Sequence, residues 1–103
     1  MTKFHIQWHK NLSLIPKDPA EMAKYYLSML EMVKAELKSR KLTDWGTYCD
    51  MMSGYCIAEG TEADIIATLA KWTPYVQFDV KPVASADQAV EAINKAVAES
   101  KPK

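Results

Sequence analysis

Two histidines, two cysteines and a scattering of acids and phenols are the side chains here that could carry chemistry. His5 and His9 lie four residues apart in Phe4-His5-Ile6-Gln7-Trp8-His9. On a regular strand they point the same way but stand ~13 Å apart at ~3.3 Å per residue, too far to share one metal ion. A metal site would need one of them with Asp79, Asp50 or a cysteine. A simpler use is a single pocket-facing histidine taking a proton, held in orientation by Asp79. Histidines that only hydrogen-bond at an interface are the competing reading. No metal site is expected.

Cys49 and Cys56 flank a turn. If the hairpin is symmetric about Met52-Ser53, the thiols face each other across the strands, with Cβ atoms ~4.5–5.5 Å apart. A three-residue loop would instead pair Cys49 with Tyr55 and put the thiols on opposite faces. Without a Cys-x-x-Cys spacing, small packing thiols are the expectation. Among the aromatics, Trp8, Trp72 and Phe78 read as core, whereas the Tyr48 phenol is placed to orient a ligand oxygen. Leu12, Leu14 and Ile15 form an apolar cluster in an irregular segment, expected to cap a pocket mouth or touch a partner subunit.

Local order must position these groups. Strict alternation over Phe4–His9 predicts a strand with Phe4, Ile6 and Trp8 on one face and His5, Gln7 and His9 on the other. Asp18-Pro19-Ala20-Glu21 opens a helix by its cap, its proline at the first turn and its following acid. Met22, Tyr26, Met29, Leu30, Val33 and Leu37 continue it at helical spacing to about Lys41. Asp44–Cys49 and Tyr55–Glu59 read as two strands about a turn at Asp50–Gly54. Thr61 caps a second helix carried by Ile65, Ile66, Leu69 and Trp72. Val76–Lys81 alternates again, with Gln77, Asp79 and Lys81 opposite Val76, Phe78 and Val80. Ser85 opens a third helix with Val90, Ile93 and Val97 along one side.

The order β-α-β-β-α-β, plus a terminal helix, predicts an α+β ferredoxin-like domain over residues 1–100, with a short tail at 101–103. Right-handed crossovers would put both long helices on one face of an antiparallel four-stranded sheet. Size agrees: 103 residues make one domain and bury roughly 60–70% of the unfolded chain's surface. Hydrophobic residues at 49% and charged residues at 25% suit a globular chain. Thirteen basic and thirteen acidic residues cancel, which argues against nucleic-acid or membrane partners. No apolar run is long enough to span a membrane and the N-terminus reads as no secretory signal, so a cytoplasmic location with free thiols is expected.

One sheet face would stay uncovered. In this respect, and in Gly54-Tyr55-Cys56-Ile57-Ala58-Glu59-Gly60 followed by Trp72–Val83, the chain resembles the small, functionally uncharacterised members of the dimeric α/β-barrel superfamily. The resemblance implies a homodimer formed through the open sheet face and a pocket for a small organic ligand. The residues themselves, by strand alternation and chemistry, suggest the site: His5 or His9 as general base with Asp79 as the catalytic groups, Gln77 and Tyr48 orienting the ligand, and Gln7, Leu12, Leu14 and Ile15 around it. The resemblance implies a small-molecule-binding protein, as a cofactor-independent enzyme of monooxygenase or isomerase type. A non-catalytic dimeric module for assembly or sensing is the alternative. No tightly bound cofactor is expected: there is no Gly-rich phosphate loop, no Gly-x-Ser-x-Gly elbow and no helical histidine suited to haem.

Overall fold

Residues 2–100 are described by a computed structural model; the expected tail at 101–103 lies outside them. Four strands, β1 (Thr2–Lys10), β2 (Asp44–Thr47), β3 (Ser53–Gly60) and β4 (Val76–Val83), form one antiparallel sheet in the order β2-β3-β1-β4. Helices α1 (Pro19–Lys38) and α2 (Glu62–Ala70) fill the two crossovers, and α3 (Ala86–Ser100) follows β4. This α+β order is the one expected of a ferredoxin-like sheet.

The alternation of β1 sets the layers. Phe4, Ile6 and Trp8 are buried beneath the helices, while Gln7 and His9 are exposed and His5 is half-buried on the other face. Register carries that division outward. Cys56 and Ala58 of β3 oppose Ile6 and Phe4, and Val80 and Phe78 of β4 oppose Ile6 and Trp8. Val33, Leu42, Ile65, Trp72 and Val76 complete the core.

The helix starts follow their capping residues. Asp18 accepts from the Glu21 amide at 3.1 Å. Thr61 and Asp64 exchange bonds at 3.2 and 3.0 Å, closing a capping box. Ser85 and Gln88 do the same at 3.1 and 2.8 Å. The end of α1 comes earlier than Lys41, because Arg40 turns left-handed (φ 66°) and the Lys41 amide bonds back to the Glu36 carbonyl at 3.0 Å.

The hairpin departs from both registers considered for it. Trp45 pairs with Cys56 and Thr47 with Gly54, so β2 stops at Thr47 and residues 48–52 form the loop. Met51 takes the left-handed conformation there (φ 64°) and Asp50 Oδ1 accepts from the Met52 amide. Cys49 is thereby an exposed loop thiol. Cys56 is buried on the helix side, and both thiols are free.

Two further expectations change. Ile66 of α2 is 70% exposed rather than core, and Trp72 is buried from the turn after α2, not from the helix itself. The third helix, α3, is exposed at every residue and, among the described residues, forms no packed interface with another element.

Gly54 is required by close approach. A Cβ there would lie 2.5 Å from Trp8 Cζ2 and would also meet the Gly46 carbonyl. The Trp8 ring rests in that space, stacked on Trp45 at 5.5 Å between centroids. Gly54→Ala should therefore displace Trp8 and cost about 1–3 kcal/mol by overpacking. Urea denaturation measures the loss, and near-ultraviolet circular dichroism reports the disturbed tryptophan pair; an unchanged midpoint would show that the sheet absorbs the methyl group freely.

Candidate functional site

The open sheet face collects most of the polar residues singled out in the sequence. His9 Nε2 lies 3.3 Å from Asp79 Oδ2, a diagonal contact between β1 and β4. Gln7 pairs directly with Asp79, and Gln77 with His9. On the other side, His5 stacks on Tyr55 at 6.2 Å and 3°. The Tyr55 hydroxyl donates to Asp44 Oδ2 at 2.9 Å, and this bond to a carboxylate holds the phenol's pKa above its ordinary value. His5 and His9 thus have different partners and form no common centre. Tyr55 and Asp44 were not picked out as polar partners, because the hairpin register that joins them to His5 differs from the ones considered.

The remaining sequence candidates lie apart from that face. Tyr48 is half exposed in the β2–β3 loop, near enough to Tyr55 to act on its charge. Leu12–Leu14 form a single 3-10 turn capped by Asn11, whose side chain also donates to the Pro74 carbonyl at 3.2 Å. Leu12 and Leu14 stay exposed, and Ile15 is buried outside the main core.

The concave space is on the other side of the sheet. A cleft of about 590 Å³, counting its open mouth, runs between α1 and the helix-facing side of the strands. Most of that volume lies at the open mouth, and the part enclosed between helix and sheet is a narrow slot. Its floor is Trp8, Trp45 and Phe78; its roof is Tyr26, Met29 and Leu30. All three tryptophans of the chain border it.

Two charged residues break this apolar lining, one toward each end of α1. Glu36 is 6% exposed, and its Oε1 accepts from Trp72 Nε1 at 3.2 Å. Its Oε2 has no hydrogen-bond partner among the described residues. Burial pushes the Glu36 carboxyl above its ordinary 4.5, against the opposing pull of the Trp72 bond, Lys71 and Lys41. Lys10 also borders the cleft, with Nζ 3.6 Å from the centroid of the Tyr26 ring. Burial lowers its pKa, partly countered by Asp50. Tyr26 and Glu36 are ten residues apart on α1, or ~15 Å. The slot is therefore aromatic in the middle, with an acid near one end and an ammonium near the other.

Glu36, Lys10 and the Trp72 indole as a donor are absent from the residues singled out above. Glu36 was detectable. It falls three residues after Val33 and seven after Met29, on the buried stripe of α1, where an acid is out of place.

A chemical step in this slot would run through the Glu36 carboxyl. Trp72 holds Oε1, and Oε2 is buried with no hydrogen-bond partner among the described residues. The Cys56 thiol, pushed up to about 12 mainly by burial, stays protonated and takes no part.

Two measurements follow. The neutral form of Glu36 is favoured by folding, so its contribution is fully present below pH 4.5 and is lost as pH rises through its raised folded value. Glu36→Gln should match the wild type near pH 4 and exceed it at pH 8 by about 1–3 kcal/mol in urea denaturation. Parallel curves at both pH values would show the charge to be compensated. Separately, Ellman's reagent should titrate one thiol, Cys49, in the native protein and the second only after unfolding; two fast thiols would contradict the burial of Cys56.

Among the curated proteins no match to the chain was found. A family model described as a domain of unknown function, DUF3303, matches residues 2–97. That span takes in the sheet, α1, α2 and most of α3, and on it the chain belongs to the DUF3303 family.

Proposed function

We propose that this protein binds a small, flat, mostly apolar organic molecule, aromatic or quinone-like, in the slot between α1 and the sheet. The observation that carries this reading is the buried Glu36 carboxyl, one oxygen of it without a hydrogen-bond partner among the described residues, in the lining of an aromatic-walled cleft. Such a lining with a few convergent polar groups is the usual make-up of a small-molecule site. A planar ring would lie against Trp8 and Trp45, with an oxygen at Glu36 and any negative charge toward Lys10.

The chemistry suited to this arrangement is proton transfer without a tightly bound cofactor, as in an isomerase. A carboxyl with a raised pKa can give a proton to a ligand oxygen and recover it from a ligand carbon. The proposed active group is thus Glu36 rather than His5 or His9.

The histidine face has a different proposed role. As in the dimeric α/β-barrel superfamily that the sequence resembles, two such faces would pack together, bringing His9–Asp79 and His5–Tyr55–Asp44 into a sheet-to-sheet contact. A specific interface of this kind buries at least ~1,200 Å² in total. Free thiols fit the cytoplasm as the proposed compartment.

The three tryptophans supply the readout. Titration of the Cys49→Ser protein, which lacks the exposed thiol that a quinone would arylate, with 1,4-naphthoquinone and 2-naphthoate, followed by native mass spectrometry for stoichiometry, should quench their fluorescence saturably at one site per chain. Glu36→Gln should weaken the quinone about ten-fold, equivalent to 1.4 kcal/mol, and Lys10→Met should weaken the carboxylate probe selectively. Linear quenching without bound mass for every probe would rule out the slot as a binding site. Sedimentation should show a dimer at 100 µM; a monomer would remove the sheet-to-sheet contact and leave the slot reading standing.

A further inference from the structure

Among the described residues, α3 and the outer half of β4 present two apolar surfaces that no other element covers. Val90, Ile93 and Val97 fall on one side of α3 and are 57%, 64% and 51% exposed. A 15-residue helix standing alone is marginal in water. Yet α3 begins at a complete reciprocal cap between Ser85 and Gln88, as a built helix does. On β4, Val80 and Pro82 oppose Ile6 and Phe4 in register and so share the face of the buried core. Both are exposed nonetheless, Val80 by 40%, because no helix covers this end of the strand; Ile66 of α2 is also bare.

We propose that α3 is an exchanged arm, which lays Val90, Ile93 and Val97 on Val80 and Pro82 of a second copy of this chain. Shape favours a second copy over the arm's own body. The radius of gyration is 18.1 Å, against about 13 Å for a compact chain of this length. The long axis is 69 Å against 26 and 23 Å across, and the link at residues 84–85 directs the helix outward. Each copy would give one arm and receive one, a closed two-fold exchange in which α3 supplies the helix missing over β4. This exchange adds to the sheet-to-sheet contact and does not rest on it.

The test uses full-length chains carrying Cys49→Ser, which removes the exposed thiol and leaves the buried Cys56. One chain bears Ile93→Cys and an isotopically heavy one bears Val80→Cys; they are mixed, equilibrated and treated with a flexible bismaleimide. The expected product is a covalent heavy–light pair joined through the two new thiols. A single chain bearing both substitutions should also link chain to chain. In addition, Ile93→Asp with Val97→Asp should weaken dimerisation about ten-fold in sedimentation. Linkage within one chain would mean that the arm folds back on its own body, overturning the proposal. A wild-type dimer with no linkage and no effect of the aspartates would overturn it too, leaving the sheet contact intact. A wild-type monomer at 100 µM would remove both.

Discussion

The bond from Trp72 Nε1 to the buried Glu36 carboxylate ties three parts of the chain to one point. α1 brings the acid, the turn after α2 brings the indole, and β4 starts four residues beyond. Burying a carboxyl beside Val33 and Leu42 is unfavourable unless a donor meets it, and Trp72 meets only one of its oxygens. The helix is thus anchored over the sheet by a group that packing alone would exclude. That same half-met demand gives the apolar slot its polar end.

Stacking completes the slot from below. Trp8 lies flat only because Gly54 has no side chain, and Trp45 stacks on it because β2 pairs with β3 at Cys56. The aromatic floor is therefore a product of hairpin register and one glycine. On the reverse of the same strand, His9 meets Asp79. One period-two strand thus serves two faces of different character: a dry one under α1, and a wet one whose imidazoles each have a partner.

The sheet layer is finished by neither crossover helix. α2 has nine residues and buries Ile65 toward β3, leaving Val80 and Pro82 bare at the sheet's edge. Edge strands with apolar faces invite pairing or cover. A helix with a bare apolar stripe follows directly in the chain and stands away from the body, and the proposed exchange would set it there.

Features governed by neighbours in sequence were legible in advance. Alternation over Phe4–His9 and Val76–Lys81 assigns those residues to their faces, because side chains in a strand must point to opposite sides. Asp18, Thr61 and Ser85 marked helix starts, because a cap acts on amides two or three residues away. Features that depend on which distant strand or helix arrives were settled only by tertiary structure. Pairing Trp45 with Cys56 moved Cys49 into a loop and joined Asp44 to Tyr55, since a shift in register reassigns every cross-strand contact. The apolar residues Val80 and Ile66 looked like core by pattern, and only the short reach of α2 left them exposed. Glu36 stood on the buried stripe of α1 in plain view. Its role came from Trp72, 36 positions away, because a buried charge acquires meaning only from the donor that reaches it.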